Sequence, residues 1–208
     1  MKILFDGVKE FSKNDFEKNK DLFTKLSSSQ NPHTLFIGCS DSRVVPDLIT
    51  KSLPGDLFVV RNIANVVPYY RASSEYLSTT SAIEYAILIL NVENIVICGH
   101  SNCGGCKSLF LSDEELTKIP HTKKWLDLAK NARIKAEELV KNQYDKEDIE
   151  WLVEQENIVE QMNHILTYPL VEERYKNGLM NIYGWYYDIG SGAVYNYNIQ
   201  EKVFEKIE

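Results

Sequence analysis

The chain has 208 residues, 44% of them hydrophobic, and a formal net charge of −7. Its length suits one α/β domain with a sizeable core. The acidic balance and the scattered basic residues argue against nucleic acid and against an anionic membrane surface as partners. No stretch reaches the roughly 18 apolar residues that a bilayer span needs, and Asp6 breaks a short apolar N-terminus. The sequence therefore predicts a cytoplasmic protein without a signal peptide.

The first third of the chain predicts helices followed by two strands. Between residues 8 and 26, apolar positions recur at intervals among polar ones, a pattern typical of one or two amphipathic helices. Two short apolar runs follow at 33–39 and 57–61, and both are typical of strands. A Pro-Gly turn signal at 54–55 precedes the second run.

The next elements alternate between helix and strand. Apolar residues with a helical period lie between Tyr76 and Leu90. Ser81 and Glu84 match a capping box, so the helix is expected to begin at Ser81 or one or two turns earlier. The fully apolar run 94–98 predicts another strand. This alternation favours a mostly parallel sheet with helices on both faces.

The second half of the chain predicts helices and then a hairpin. Residues 123–167 are charged with a helical pattern. Their large apolar side chains are expected to pack against the domain: Trp125, Leu126, Leu128, Leu139, Trp151, Ile158 and Met162. Residues 179–188 and 193–198, joined by a Gly-Ser-Gly turn, predict an antiparallel hairpin at the sheet edge.

Two loops concentrate the reactive side chains, and each directly follows a predicted strand. Residues 39–43 have the sequence Cys-Ser-Asp-Ser-Arg, and residues 99–105 have Gly-His-Ser-Asn-Cys-Gly-Gly. In an open parallel sheet, the loops at the carboxyl ends of neighbouring strands face one crevice. The two loops are therefore expected to meet.

Cys39, His100 and Cys103 would then supply two thiolates and one imidazole, because a reducing compartment favours metal ligation over disulfides. Three protein ligands leave a tetrahedral zinc one position for water, which becomes a hydroxide nucleophile near neutral pH. Asp41 is placed to accept a hydrogen bond from that hydroxyl, and Arg43 to keep the carboxylate ionised. Two thiolates cancel the zinc charge, so the water is expected to titrate above the roughly 7 of a three-histidine site.

The other cysteines and histidines have simpler interpretations. Cys98 ends an apolar strand and is interpreted as a core thiol, although the run 98–106 also matches a compact four-ligand zinc site. Cys106 is interpreted as structural, with a redox pair to Cys103 left open. The remaining histidines are interpreted as surface or structural residues, and a proton-shuttle role for one of the three is left open: His33, His121 and His164.

The motifs at 39–43 and 100–105 closely resemble those of the β-class carbonic anhydrases. Residues 58–65 and 82–86 are similar to that family as well, so that the likeness covers nearly all of residues 30–110. It implies an enzyme that interconverts carbon dioxide and bicarbonate with one Zn²⁺ per chain. By the same resemblance, the zinc ligands are Cys39, His100 and Cys103, and the catalytic pair is Asp41 and Arg43.

The resemblance also implies a substrate pocket that is completed across the interface of an obligate homodimer, and pairs of dimers are common in the family. It assigns five residues to substrate binding: Gln30, Phe58, Ile63, Tyr85 and Gly104. Without the resemblance, Gln30 would be an ordinary helix-end residue, and Phe58 and Tyr85 would be core residues.

The subgroup follows from two positions. Gln30 stands nine residues before Cys39, as the substrate-binding glutamine does in plant-type members. Members that bind bicarbonate at a separate inhibitory site have a Trp three residues before the first cysteine, where this chain has Phe36. The resemblance therefore favours the plant-type, open-site subgroup.

Other functions stay open. Relatives of the family hydrolyse carbon disulfide or carbonyl sulfide with a similar zinc set. A non-enzymatic zinc-binding regulatory relative is expected to have lost a ligand, Asp41 or Arg43, and none is lost. A thiol redox protein would not require the Asp41–Arg43 pair.

The predicted fold is α/β, with a central mostly parallel sheet flanked by helices, an antiparallel hairpin at one edge and an N-terminal helical arm. One domain is expected to span residues 1–208 in four parts: the arm (1–30), the zinc and active-site core (31–110), a helical region (111–178), and the hairpin and tail (179–208).

Overall fold

A six-stranded mixed sheet organises the computed structural model, which describes residues 1–72, 75 and 77–208. Its strands are β1 (Thr34–Cys39), β2 (Leu57–Asn62), β3 (Asn94–His100), β4 (Asn181–Tyr187), β5 (Val194–Asn198) and β6 (Val203–Lys206). The order across the sheet is β2-β1-β3-β4-β5-β6. The first four strands in that order are parallel, and β5 and β6 are antiparallel to their neighbours. The predicted fold class is confirmed.

Helices occupy most of the remaining described chain. They are α1 (Lys2–Glu10), α2 (Phe16–Lys18), α3 (Lys20–Leu26), α4 (Pro46–Thr50), α5 (Ser78–Leu88), α6 (Gly104–Lys107), α7 (Asp113–Thr117), α8 (Pro120–Leu126), α9 (Lys130–Asn142), α10 (Ile149–Ile165) and α11 (Pro169–Lys176). A π-helical turn at Phe11–Asp15 joins α1 to α2. In the part of the chain that the structure describes, no helix combines the length and apolarity needed to cross a membrane.

The two central strands, β1 and β3, form because their residues are apolar and can be buried on both faces of a parallel sheet. Every residue of β1 is buried, as are all but the first of β3. Helices α5 and α10 cover one face, where Ile37 and Ile97 pack with Ile83 and Ile158. Gly184 lets α10 approach β4, because a Cβ there would lie 2.9 Å from Ile158.

Three local helix signals agree with the structure and one does not. Proline occupies the first turn of α4, α8 and α11, where its missing N–H costs nothing. The predicted start of α5 is confirmed, because the helix begins at Ser78, one turn before Ser81. The capping box itself does not form, because Ser81 lies inside the helix and its Oγ donates to the carbonyl of Ser78. Tyr76, which opened the predicted segment, lies outside the described residues.

The predicted hairpin is confirmed as β4 and β5, and the structure adds two features. Strand β4 also pairs in parallel with β3, and the short strand β6 forms the sheet edge beyond β5. Among the large apolar side chains of 123–167, Leu126, Ile158 and Met162 are buried as expected. Trp151 is 40% exposed, and its ring packs against Tyr144.

The N-terminal arm is helical, as predicted, and extends back to Lys2. Three phenylalanines pack on one another within it: Phe11, Phe16 and Phe23. The apolar side chains of α1 are not covered by any other described part of the chain and are exposed: Ile3, Leu4, Phe5 and Val8.

Candidate metal and catalytic site

The carboxyl ends of β1 and β3 bring the two reactive loops together. Cys39 is the last residue of β1 and His100 the last of β3, and these strands are neighbours. Cys103 follows in the short loop before α6. All three side chains are buried.

The positions of the ligand atoms suit a zinc ion. The sulfur atoms of Cys39 and Cys103 are 3.9 Å apart, and these atoms and a His100 ring nitrogen lie within 4.8 Å of one another. Two thiolates at about 2.3 Å from a tetrahedral zinc would be separated by about 3.8 Å. The Nε2 atom of His100 is buried and has no hydrogen-bond partner among the described residues. A buried ring nitrogen that lacks a hydrogen-bond partner and lies beside two thiols is consistent with a metal ligand.

The surroundings of the thiols favour their neutral forms when no metal is bound. A hydrogen bond with Cys103 and burial raise the pKa of Cys39 to about 12. A hydrogen bond with Cys106 contributes most to raising the pKa of Cys103 to about 12. A metal ion must therefore displace protons when it binds these sulfurs.

Asp41 and Arg43 form a two-point ion pair beside the cluster. Arg43 donates from Nε to Asp41 Oδ1 at 2.9 Å and from Nη2 to Asp41 Oδ2 at 2.7 Å. These bonds hold the pKa of the Asp41 carboxyl well below its usual range. Its Oδ2 atom lies 3.9 Å from Nε2 of His100. The site therefore presents an ionised, oriented carboxylate next to the three ligands.

Arg61 supports the loop that carries these residues, a role that the sequence left unresolved. It donates from Nε to the carbonyl of Cys39 at 2.9 Å and from Nη2 to the carbonyl of Asp41 at 2.6 Å. The only signal in the sequence was its place at the end of a predicted strand next to β1.

Glu154 is a site residue that sequence reasoning missed. Its Oε1 atom accepts the backbone N–H of Cys103 at 2.8 Å, and its Oε2 atom accepts the hydroxyl of Tyr186 at 3.0 Å. Burial raises the pKa of the Glu154 carboxyl to about 7, although both hydrogen bonds act to lower it. It lies in α10, 51 residues beyond Cys103, and no local motif marks it.

The predicted pocket residues divide into two groups. Gly104 follows Cys103 directly, and Ile63 lines a cavity of about 500 Å³ beside the site, together with Ser40 and Arg61. These two predicted residues therefore lie near the three candidate ligands, at the carboxyl ends of the strands.

Within one chain, the other three predicted pocket residues lie near the amino ends of the strands, away from the cluster of Cys39, His100 and Cys103. Phe58 pairs with Leu35, whereas Cys39 pairs with Asn62. Four residues of extended strand separate the two pairs, so Phe58 lies roughly 13 Å from the level of Cys39. Tyr85 stacks on Phe58 with ring centroids 6.0 Å apart. Gln30 is exposed and precedes β1. One chain alone therefore does not bring Gln30, Phe58 and Tyr85 to the metal ligands.

The remaining cysteines match the simpler interpretations. Cys98 is fully buried and packs with Phe36 and Val96, which confirms it as a core thiol. Cys106 is buried beside Cys103, and all four cysteines are free thiols. Within the described residues, the possible ligand group contains Cys39, His100 and Cys103 but neither Cys98 nor Cys106.

Comparison with known proteins gives one consistent family. A family model described as carbonic anhydrase matches residues 34–194. The carbonic anhydrase of Helicobacter pylori strain J99 is 42% identical over 208 residues, covering 98% of this chain and 93% of that protein. The matched range 34–194 includes all three ligands and the Asp41–Arg43 pair.

Solved structures agree with the sequence comparison. The structure of the β-carbonic anhydrase CcaA is similar to this chain with a TM-score of 0.90 and 37% identity, covering 100% of this chain and 92% of that chain. A tetrameric β-carbonic anhydrase of the ascomycete Sordaria macrospora has a TM-score of 0.79 and 30% identity, covering 93% of this chain and 94% of that one. The similarity thus extends over the whole sheet and both reactive loops.

Proposed function

Because the chain belongs to the β-class carbonic anhydrase family, we propose that it catalyses the reversible hydration of carbon dioxide to bicarbonate with one zinc ion per chain. One observation carries the proposal: the buried cluster of Cys39, His100 and Cys103 lies beside the ionised Asp41–Arg43 pair. A purely structural zinc site would not require an oriented carboxylate next to its ligands.

Each residue of the site has a separate role in this proposal. When bound by Cys39, His100 and Cys103, zinc supplies the Lewis acidity that lowers the pKa of a coordinated water. Asp41 accepts a hydrogen bond beside the ligands and thereby orients the attacking group. Arg43 holds the Asp41 carboxylate by two parallel hydrogen bonds, so that it stays ionised and fixed in direction.

The substrate pocket is assembled from two subunits in this proposal. Ile63 and Gly104 contribute from the chain that holds the zinc, and Gln30, Phe58 and Tyr85 from its partner. Exposure supports this division, because Tyr85 is 45% exposed even though its ring stacks on Phe58.

Self-association as a homodimer, with pairing of dimers as an option, has further support in the exposed surface. Strand β2 is an edge strand of the sheet, and its residue Val59 is partly exposed. The apolar side of α1 is exposed as well. Exposed sheet edges and contiguous apolar helix faces are typical of interaction surfaces.

The test is carbon dioxide hydration measured by stopped flow on a sample whose zinc content is assayed. We expect about one zinc per chain, and fast hydration that a metal chelator abolishes. Asp41→Ala is expected to keep its zinc and lose most of the activity, whereas Cys39→Ala is expected to lose both. A zinc-loaded wild-type protein that does not hydrate carbon dioxide, even at alkaline pH, would reject the proposal.

A further inference from the structure

The peptide group between Asn102 and Cys103 is held from both sides. Its N–H, on Cys103, donates to Glu154 Oε1 at 2.8 Å. Its carbonyl oxygen, on Asn102, accepts a hydrogen bond from Arg43 Nη2 at 3.0 Å. The same Arg43 nitrogen also holds the Asp41 carboxylate. One planar peptide therefore connects a buried glutamate, a zinc ligand and the catalytic pair.

The loop needs external support at this point. Asn102 has a φ of 55°, in the left-handed region that residues with a side chain rarely adopt. Rotation of the peptide about its flanking bonds would move the Cys103 N–H and the Asn102 carbonyl together. An anchor on the N–H therefore also fixes the carbonyl that Arg43 uses.

Glu154 is itself rigidly placed. It is 4% exposed, and its second oxygen accepts the hydroxyl of Tyr186, a buried residue of β4. No lysine, arginine or histidine forms an ion pair with Glu154 in the described part of the chain. A carboxylate buried without a cation is costly and is not expected where packing alone is needed.

We propose that Glu154 is a positioning residue of the zinc site, which acts through the Asn102–Cys103 peptide to orient the Cys103 thiolate and the Arg43 guanidinium. The two hydrogen bonds on this peptide also strengthen one another, because bonds in series polarise the group that they share, and this makes the Asn102 carbonyl a better acceptor for Arg43. The inference rests on the proposed function, since it assigns Cys103 to zinc and Arg43 to the catalytic pair.

A purely structural role predicts a different outcome. If Glu154 only tied α10 to the loop, its replacement would lower stability but leave the metal environment of the folded protein unchanged. Glu154→Gln separates the two roles because glutamine keeps the size but has only one acceptor oxygen for the two donors that the carboxyl group accepts, the Cys103 N–H and the Tyr186 hydroxyl.

The chain offers a matched control in Glu160. This residue also lies in α10, is 4% exposed, and accepts a backbone N–H, that of Ala132 at 2.7 Å. The donor lies in helix α9, which is outside the two reactive loops. Glu160→Gln therefore reproduces the loss of a buried, hydrogen-bonded carboxylate without touching the Asn102–Cys103 peptide.

The experiment compares wild type, Glu154→Gln and Glu160→Gln, each folded and loaded with cobalt or with zinc. For Glu154→Gln we expect a shifted visible spectrum of the cobalt form and zinc release to a chelator about tenfold faster. Hydration per bound zinc is expected to show a lower kcat with little change in KM. Glu160→Gln is expected to match wild type in all three measurements. If Glu154→Gln does not fold, Tyr186→Phe is expected to shift the same spectrum to a smaller extent.

An unshifted cobalt spectrum together with wild-type zinc release in Glu154→Gln would overturn the inference, as would equal changes in Glu160→Gln. If Tyr186→Phe has to replace Glu154→Gln, an unshifted spectrum in that variant overturns it as well. The cobalt and zinc-release measurements do not depend on activity. Failure of the proposed function, seen as absent hydration by wild type, is therefore distinguishable from failure of this inference.

Discussion

The side chain of Asn157 donates a hydrogen bond to the carbonyl oxygen of Ala64, 2.9 Å away and 93 positions earlier in the chain. Ala64 is fully buried and has a φ of 59°, in the left-handed region. Gln161 extends the contact by donating to Asn157 Oδ1 and accepting the N–H of Val67. Helix α10 thus satisfies the polar backbone of the loop that carries Ile63 beside the metal site.

Asn157→Leu is expected to lower the free energy of unfolding by about 1–3 kcal/mol, because the buried carbonyl of Ala64 would lose its donor. The measurement is urea unfolding of the zinc-loaded protein. Asn163→Leu is the matched control, since Asn163 is an exposed residue of the same helix and is expected to change stability by less than about 0.5 kcal/mol. Equal stability of the Asn157 and Asn163 variants would contradict this account of the loop.

The sequence predicted the parts of the site that are local. An apolar strand that ends in Cys39 and another that ends in His100 are visible in a few residues each, and parallel pairing then brings them together. Glu154 and Asn157 gave no such signal. Their roles depend on partners 51 and 93 positions away, and a charged helical segment does not show which of its residues will be buried.

Strand β6 and the exact start of α5 both depend on tertiary contacts that the local sequence does not show. Strand β6 has four residues with one partly buried side chain, and it forms because β5 offers an edge for pairing. The capping signal at Ser81 was overridden because Thr79 and Thr80 are buried, and Thr80 contacts the Tyr168 hydroxyl at 3.2 Å. Tertiary contacts therefore extend α5 one turn upstream of its local signal.

Gly184→Ala is expected to destabilise the protein by about 1–3 kcal/mol, because the added methyl would overlap α10. Its Cβ would lie 2.9 Å from Ile158 Cγ2, and the sulfur of Met162 is also in the way. The measurement is the urea midpoint of unfolding. In a Met162→Ala background the same substitution is expected to cost less, since the space next to the glycine is then larger.

Gly7→Ala serves as the control for replacing a glycine. Gly7 lies in α1, and outside its own helix backbone and chain neighbours no atom of the described residues would be within 4 Å of a Cβ there. Alanine is therefore expected to be neutral or slightly stabilising. A Gly184→Ala cost that is unchanged in the Met162→Ala background would show that overlap with Met162 is not its cause.

Zinc binding to the metal-free protein at pH 7 is expected to release at least about two protons, one from each thiol. His100 adds a fraction of a proton, because burial lowers its pKa but its contacts with Cys39, Ser101 and Asp41 raise it more strongly. The pKa values of Cys39 and Cys103 are raised to about 12, so both sulfurs are protonated at pH 7 without metal and must be thiolates when they bind it. Lowering the pH adds proton competition for the sulfurs, so the apparent zinc affinity is expected to fall as the pH falls.

Isothermal titration in buffers of different ionisation enthalpy measures the number of protons that zinc binding releases. Cys39→Ser is expected to lose zinc binding and with it the proton release, because its hydroxyl is not readily ionised. Cys98→Ser is expected to match wild type, because Cys98 lies outside the possible ligand group. Binding of zinc without proton release would show that these thiols are not its ligands.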